Sequence, residues 1–231
     1  TPGTTRDSVD SICRYHGRPY RIIDTAGLRK KSRIQYSVEK FSVLRALRSI
    51  ERSDVTLLLI DCREGITDQD QKIASLIEER GKGVIIIFNK WDLIEEPETT
   101  YKKLLAELNW KLPFMTYAEV LTTSGLTRKR VTKVFPLIDR IIEERRKRIP
   151  TGELNRLSEE INPHLPSPSG RKRKVLYLTQ SGTEPPRFTV FFNNLKGIKP
   201  EHKRFIERVI RNRYGFKGTP IKINLRDRSG R

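Results

Sequence analysis

The stretch Val84–Asp92, VIIIFNKWD, decides the fold class of this 231-residue chain. Its first part, Val84–Phe88, is a continuous apolar run rich in β-branched side chains, which is typical of a strand buried on both faces. Such strands occur in parallel sheets that helices cover on both sides, so we expect strands and helices to alternate along the chain. The polar residues from Asn89 to Asp92 would then lie at the carboxyl edge of that sheet.

The sequence on either side of this run supports the alternation. Further strand candidates are Tyr20–Ile23, Val55–Ile60 and Glu119–Thr122, and helix candidates are Val38–Ile50, Asp68–Glu79, Thr100–Leu108 and Arg130–Arg148. Right-handed crossovers would join these strands into one parallel sheet. Ligands of such sheets bind beyond the carboxyl ends of the strands, so the loops after each strand are the places to search for a site.

The loop after the buried strand fits the recognition of guanine. The Asp92 carboxylate can accept two parallel hydrogen bonds from N1–H and the exocyclic amine of guanine, a donor pair that adenine lacks. Asn89 can bond the base and tie neighbouring loops together, while the stem of Lys90 lies along the base plane. A simple polar turn is the alternative, and the position directly after a buried strand favours the guanine interpretation.

Three other segments carry weaker signals, each of which could also be an ordinary turn. Asp24, after the first strand candidate, could hold Mg²⁺ through water, and Gly27 would let its N–H approach a phosphate. The backbone of Thr123–Gly125 could meet the guanine carbonyl oxygen. Within Pro2–Asp7, the Thr5 hydroxyl could coordinate Mg²⁺ beside a γ-phosphate.

The order of these segments is more specific than any one of them. Thr5, Asp24, Asn89 and Ser124 are separated by 19, 65 and 35 residues. This order and spacing fit a P-loop GTPase whose first strand and phosphate-binding loop have been cut away. The first fold prediction is therefore an α/β, P-loop GTPase-type parallel sheet with flanking helices, truncated at its N-terminus.

The charge points to an anionic partner. The chain has 47 Lys and Arg against 28 Asp and Glu, a net charge of +19. Residues 171–231 contribute 17 basic and 4 acidic residues, a net of +13. Solvated basic surface is the alternative, but this excess favours nucleic acid or another polyanion. The basic candidates for RNA contact are Arg171, Lys172, Arg173, Lys174, Lys203 and Arg204.

Composition also excludes several classes of protein. No apolar run approaches the length of a membrane helix, and no leader pattern of charged then apolar residues occurs. Cys13 and Cys62 are too few for a disulfide framework or a zinc site, and we expect them to be buried free thiols in a reducing cytosol. The chain opens at Thr1 rather than Met, which suggests a fragment.

The last third of the chain predicts a second, small α+β unit. Four prolines in residues 149–170 indicate a linker, with a short helix at Glu153–Ile161 for which Thr151 is a plausible N-cap. Strands are predicted at Lys174–Gln180, Arg187–Asn193 and Pro220–Leu225, and a helix at Pro200–Arg213. We place a domain boundary between residues 148 and 149, giving domains 1–148 and 149–231.

Two features of this unit have alternative interpretations. Gly215–Gly218, GFKG, matches the G-x-x-G loop of nucleic-acid-binding KH domains, but its position between a helix and a strand favours a helix end and a turn. Aromatic residues such as Tyr177, Phe188 and Phe191 are more often core than platforms for bases. Phe191 and Phe192 are adjacent, so their side chains must point to opposite faces of a strand.

These segments together resemble the Der (EngA) double-GTPase family of bacterial large-subunit ribosome assembly. The resemblance runs over essentially all residues and is carried by PGTTRDSVD, DTAGL, VEKFSVLRAL, EGITDQDQKIA, NKWDLI, YLTQSGTEPPRFTVFFNN and YGFKGTPIKINLRD. It implies the second GTPase domain followed by a KH-like domain. It also implies a mobile switch II at Arg29–Tyr36 and the cofactors GTP or GDP, Mg²⁺ and K⁺. The implied nucleotide contacts are Asp24, Thr25, Ala26, Gly27, Leu28, Asn89, Lys90, Trp91, Asp92, Ser124 and Gly125, and the implied metal ligands are Thr5 and Asp24.

The chain departs from the family pattern in three places. No G-x-x-x-x-G-K-S/T motif occurs in it, so as written we expect it to bind GTP poorly and to hydrolyse it hardly at all. Leu28 stands where many regulatory GTPases have a glutamine, and an aliphatic side chain cannot polarise water. Gly125 follows Ser124 where the family typically has alanine.

The resulting functional hypothesis is a cytoplasmic GTPase of large-subunit ribosome biogenesis. It would couple GTP hydrolysis to contact with ribosomal RNA, with nucleotide changing how the two domains pack. Neither a membrane nor DNA is an expected partner. Two alternatives stay open, a nucleotide-independent RNA-binding scaffold with a degenerate GTPase domain, and a tRNA-modification GTPase.

Overall fold

The computed structural model describes residues 10–23, 46–166 and 173–228. The first part contains strands β1 (Asp10–Tyr15) and β2 (Arg18–Ile23), helical residues 46–52 (α1), β3 (Val55–Asp61), α2 (Asp68–Glu79), β4 (Gly83–Asn89), α3 (Pro97–Lys111), β5 (Glu119–Thr122) and α4 (Val134–Arg146). The second part contains α5 (Thr151–Ile161), β6 (Val175–Gly182), β7 (Arg187–Phe192), α6 (Pro200–Tyr214) and β8 (Lys222–Asp227).

A parallel sheet of β3, β4 and β5 forms the centre of the first part. The central strand β4 is buried from Gly83 to Phe88, which confirms the prediction from its apolar run. Its alternate side chains enter two different cores, because Ile86 packs with α2 and α3 on one face while Ile85 and Ile87 pack against α4 on the other. The predicted α/β class with helices on both faces is therefore confirmed.

The strand predicted at Tyr20–Ile23 pairs differently from the prediction. It belongs to β2, which is antiparallel to β1 in a hairpin, and the described residues give it no pairing with β3, β4 or β5. His16 and Gly17 both have positive φ in the two-residue turn, as primed hairpin turns require. The hairpin packs on α4, where the Tyr15 and Phe135 rings stack at 4.5 Å.

The predicted helices are present, with some differences at their ends. The helix α2 begins and ends as predicted, because Thr67 caps it and exchanges hydrogen bonds with Asp70 in a capping box. The helix α3 is longer than predicted and starts with Pro97, a residue favoured in the first turn. The helix α4 starts later, at Val134, and only residues 46–50 of the predicted helix Val38–Ile50 lie within the described part.

The second part has the predicted order of one helix, two strands, one helix and one strand. Strands β6 and β7 are antiparallel, and β8 adds to β7 in parallel. Helix α5 is not a free linker, since Leu154, Leu157 and Ile161 are buried in the same core as α6 and the sheet. Thr151 is the first residue of α5 rather than its N-cap, because Pro150 occupies the cap position.

The loop Phe216–Thr219 of the second part is hydrogen-bonded to the amino-terminal end of the parallel sheet. The N–H of Val84 donates to the carbonyl of Gly218 at 2.8 Å, and the N–H of Gly218 donates to the carbonyl of Tyr117 at 2.7 Å. Gly218 thus bridges the start of β4 and the residues that lead into β5. Gly215 ends α6 with a φ of 88°, so the G-x-x-G segment is a helix end and a turn, as predicted.

Buried polar groups reinforce this junction, which we call the seam (Glu78–Gly83, Tyr117, Glu144–Lys147, Glu184–Pro186, Arg211 and Phe216–Lys222). Arg145 is buried and donates to the Gly81 carbonyl at 2.8 Å and to Thr219 Oγ1 at 3.3 Å. Burial lowers the pKa of Arg145. The hydroxyl of Tyr117 donates to Glu78, and burial followed by the Glu78 charge raises the pKa of Tyr117 well above its usual value.

In the described residues, every helix is either too short or too polar to cross a lipid bilayer.

Candidate functional site

Three strand ends bring the polar loops together at one edge of the parallel sheet. Asp61, at the end of β3, lies beside Asn89, at the end of β4, and Phe88 lies beside Thr122, at the end of β5. The loops that follow these strands are therefore neighbours, as expected for the ligand edge of a parallel sheet. Asn89, Lys90, Asp92 and Gly125 all belong to this edge.

Asn89 ties the loop after β4 to the loop after β5. Its Oδ1 accepts hydrogen bonds from the Gly125 N–H at 3.0 Å and from Thr123 Oγ1 at 3.2 Å. The backbone adds two further bonds, from the Thr123 N–H to the Phe88 carbonyl and from the Trp91 N–H to the Thr123 carbonyl. The two loops are thus held in one arrangement before any ligand arrives, which lowers the entropic cost of binding.

Lys90 is held by a residue that sequence reasoning missed. Its backbone is left-handed, with a φ of 64°, and its Nζ lies 2.6 Å from Oδ2 of Asp61, a carboxylate that is only 5% exposed. Asp61 also accepts the Arg63 N–H at 3.0 Å. The sequence could have revealed this role of Asp61, because Asp61 directly follows the apolar run Val55–Ile60. The end of that strand had to lie at the same sheet edge as Asn89.

Asp92 and Trp91 differ in their exposure to solvent. Both belong to a short 3₁₀ turn, in which Asp92 is exposed while Trp91 is buried, with its ring perpendicular to that of Tyr101 at a centroid distance of 6.3 Å. Asp92 is therefore accessible to a base, as the guanine hypothesis requires. The Trp91 side chain belongs to the core, so we do not expect it to touch the nucleotide.

The turn after β5 uses its backbone donors internally. The Ser124 N–H donates to the Lys129 carbonyl at 3.1 Å, the Gly125 N–H donates to Asn89, and Ser124 Oγ accepts the Thr127 N–H at 3.0 Å. From the sequence alone, these amides could meet the guanine carbonyl oxygen or belong to an ordinary turn. Because both are already bonded, Ser124 and Gly125 shape the loop rather than offering free donors.

Replacing Gly125 by alanine should be harmless. Gly125 does not have a positive φ, and a Cβ added there would meet Asn89 at an ordinary contact distance of 3.8 Å. We expect Gly125→Ala to change GDP affinity of the full-length protein by less than about threefold and to leave stability within about 0.5 kcal/mol. Calorimetric titration and urea unfolding measure the two quantities.

Gly65→Ala is the matched comparison for this substitution. Gly65 has a φ of +72°, and a Cβ there would lie 2.8 Å from Glu107 Oε2. It should therefore destabilise the protein by about 1 kcal/mol or more. A large loss of GDP affinity from Gly125→Ala, without loss of stability, would contradict our description of the loop.

Cys62 lies next to this edge and is a buried thiol, as expected, whereas Cys13, which was also expected to be buried, is only half-buried. The Sγ of Cys62 is 3.2 Å from the Lys90 carbonyl oxygen. Burial raises the pKa of the Cys62 thiol, and the neighbouring Asp61 carboxylate raises it further. The thiol is therefore protonated at neutral pH and is a poor nucleophile.

The basic candidates of the second part divide into exposed and buried side chains. Lys174, Lys203 and Arg204 are exposed, and the last two lie on the solvent face of α6. Arg173 is 7% exposed and its Nε donates to the Lys196 carbonyl at 2.8 Å. This burial argues against the predicted contact of Arg173 with RNA, which stays a prediction.

Several predicted site residues lie outside the described part of the chain. They are Thr5, Asp24, Thr25, Ala26, Gly27 and Leu28 of the phosphate and magnesium contacts, switch II at Arg29–Tyr36, and Arg171 and Lys172 of the basic cluster. Their proposed roles stay predictions.

Comparison with known proteins matches both parts of the chain. Residues 148–226 match the family described as "KH-domain-like of EngA bacterial GTPase enzymes, C-terminal". Residues 1–90 match the family described as "50S ribosome-binding GTPase". Among solved structures, the chain resembles Era in complex with MgGDPNP and nucleotides 1506–1542 of 16S ribosomal RNA, with a TM-score of 0.51 and 21% identity over 97% of this chain and 82% of that chain. At that identity the resemblance shows the fold alone.

Curated relatives agree with both matches. GTPase Der of Thermodesulfovibrio yellowstonii is 46% identical over 236 residues, covering 98% of this chain and 53% of the relative. GTPase Der of Caldanaerobacter subterraneus subsp. tengcongensis is 47% identical over 229 residues, covering 98% and 52%. The chain spans about half the length of the curated relatives it matches. With this identity over nearly all of its residues, the chain belongs to the GTPase Der family.

Proposed function

We propose that this chain is the guanine-binding and RNA-facing part of a GTP hydrolase that acts in large-subunit ribosome biogenesis. The observation that carries the nucleotide half is the edge where Asn89 joins two loops, Asp61 holds Lys90, and Asp92 stands exposed. The family description that names the 50S ribosome supports the choice of partner. Its place of action would be the cytoplasm.

The remaining groups of the reaction belong to the proposal as well. Thr5 and Asp24 would hold Mg²⁺ beside the phosphates, and Asp24, Thr25, Ala26, Gly27 and Leu28 would approach the γ-phosphate. Because Leu28 cannot orient water, we propose that K⁺ supplies an extra positive charge at the phosphates. The experiment is GTP hydrolysis by the full-length protein in K⁺ and in Na⁺, with and without large ribosomal subunits.

We also propose domains 1–148 and 149–231. The burial of α5 in the C-terminal core supports this boundary. The sequence alone predicts that nucleotide changes the packing of these two domains. The buried polar groups of the seam favour a fixed arrangement instead, so we place the nucleotide-dependent change in the switch segments.

The exposed basic face of α6 should carry part of the contact with RNA. Replacing Lys203 and Arg204 together by glutamine should weaken binding to large-subunit RNA and reduce its salt dependence. The slope of log K against log salt should fall by roughly one for each lost phosphate contact. Filter binding across a salt series measures the slope.

The matched control for this experiment is Lys102→Gln with Lys103→Gln. These two lysines are also exposed neighbours on a helix, α3, and they carry the same total charge. The control should leave the slope unchanged. Equal losses in the two double variants would mean that only the net charge of the protein matters, and the α6 face would then be withdrawn as a binding surface.

A nucleotide-independent scaffold and a tRNA-modification GTPase give different outcomes. Absence of GDP binding by the full-length protein would favour the scaffold. Binding of tRNA in preference to large ribosomal subunits would favour the tRNA-modification GTPase.

A further inference from the structure

In the residues that the structure describes, α5 and α6 leave one face of the second part's sheet uncovered. Helices α5 and α6 cover the other face, where Leu178, Val190 and Phe192 are buried among them. On the open face, the register of the strands places Tyr177 of β6 beside Phe191 of β7, and Phe191 beside Arg226 of β8. One row across all three strands therefore consists of two aromatic rings and a guanidinium.

The two rings in this row are stacked and accessible. Their centroids are 4.1 Å apart and their planes differ by 14°. Tyr177 is 39% exposed, whereas the neighbouring Phe192 is fully buried on the opposite face. A cross-strand aromatic pair does stabilise a sheet. It also offers a flat π surface on which a further ring can stack.

The rest of the open face suits an anionic, hydrogen-bonding partner. The row beside the rings consists of Thr179, Thr189 and Asn224. Thr189 is buried and donates to Ser181 Oγ, so the groups that can bond a base edge are the Thr179 hydroxyl and the Asn224 amide. The next row pairs Arg187 with Lys222, whose Nζ donates to the Glu78 carbonyl in the seam at 2.6 Å, so the exposed cation of this row is Arg187. None of the positions in these rows is acidic, so the face combines aromatic rings with positive charge.

A groove connects this face with the basic helix α6. It runs along β8 and is lined by Lys203 of α6 and by the β8 residues 223–227, which include Asn224, Arg226 and the acidic Asp227. A flexible strand that contacts the α6 face can therefore continue around the sheet edge to the rings. A duplex keeps its bases stacked inside and has no free ring surface to offer Tyr177 or Phe191.

We propose that Tyr177, Phe191 and Arg226 form a stacking face that binds unpaired RNA bases. A base would continue the stack of the two rings, and Arg226 would contact the adjacent phosphate. The choice of RNA rests on the proposed function, but the face lies on the opposite side of the sheet from α6. A test can therefore disprove RNA binding at one surface without disproving it at the other.

The test measures anisotropy of a short fluorescein-labelled oligouridylate RNA with the full-length protein. Tyr177→Leu keeps an apolar side chain but removes the π surface, so affinity should fall about tenfold with the salt slope unchanged. Arg226→Gln should instead lower the slope by about 0.7, the value for one contact to a single strand. Tyr177→Phe should bind like the wild type.

Leu176→Ala is the matched control, because Leu176 is 38% exposed on the same strand and carries no π surface. It should leave RNA affinity unchanged. The proposal is overturned if Tyr177→Leu binds normally, if Leu176→Ala loses as much affinity, or if an RNA duplex binds the face as tightly. An unchanged rate of GTP hydrolysis in Tyr177→Leu separates this result from a failure of the nucleotide proposal.

Photocrosslinking keeps the proposal testable if Tyr177→Leu does not fold. The wild-type protein is irradiated with oligouridylate that contains 4-thiouridine, and the modified peptides are sequenced. Crosslinks in β6 or β7 support the stacking face. Crosslinks confined to α6 and its neighbours overturn it.

Discussion

Replacing Asp92 by asparagine should lower the GDP affinity of the full-length protein by about a hundredfold or more and raise its affinity for xanthosine diphosphate. In the proposed site the carboxylate would accept two charge-assisted hydrogen bonds from guanine, each worth roughly 1.5–3 kcal/mol. Xanthine has a carbonyl where guanine has the exocyclic amine, so the asparagine NH₂ can donate to it. Calorimetric titration with both nucleotides measures the exchange.

The control for this substitution is Glu95→Gln. Glu95 is an exposed carboxylate in the same loop, so this variant removes the same charge three residues away. It should change neither affinity by more than about threefold. If Glu95→Gln reproduced the loss, Asp92 would act through local charge alone, and the hydrogen-bonding account of guanine recognition would be wrong.

Replacing Gly218 by alanine should destabilise the protein by about 3 kcal/mol, a large share of a typical total stability. Gly218 has a φ of +72°, and an added Cβ would overlap the Ile141 side chain, at 2.6 Å from its Cδ1. Backbone strain contributes about 1 kcal/mol and overpacking about 1–3 kcal/mol. Relief of the overlap would also stretch the hydrogen bonds to Val84 and Tyr117. Urea unfolding measures the loss.

Gly17→Ala separates these two costs. Gly17 has a similar φ of +79°, but nothing lies within 4 Å of an added Cβ. It should therefore lose only the backbone part, about 1 kcal/mol. In addition, Ile141→Ala combined with Gly218→Ala should cost less than the sum of the single substitutions, because the overlap disappears. Equal effects of Gly17→Ala and Gly218→Ala would show that the seam is not tightly packed.

Local patterns in the sequence were sufficient to predict the central strand β4 and the position of the loop after it. The run Val84–Phe88 could only be satisfied by burial on both faces, and the loop Asn89–Asp92 then had to lie at the ligand edge. The helix α2 was equally predictable, because Thr67 and Asp70 form a capping box at its start.

Features that depend on contacts distant in sequence were not predictable in this way. The strand β1 was missed, and β2 was assigned to the wrong sheet, since both depend on each other and on packing against α4. The burial of Arg173 was not predictable either, because nothing local indicates that its side chain bonds the Lys196 carbonyl. The seam was also invisible, because Gly218 meets Val84 and Tyr117 only in the folded chain.

The most direct measurement of the central claim is a crystal structure of the full-length protein with GDP. We expect the guanine edge within hydrogen-bonding distance of the Asp92 carboxylate and the stem of Lys90 along the base plane. Asn89 should still accept the Gly125 N–H. A guanine bound elsewhere, with Asp92 facing only solvent, would contradict the assignment of this sheet edge as the nucleotide site.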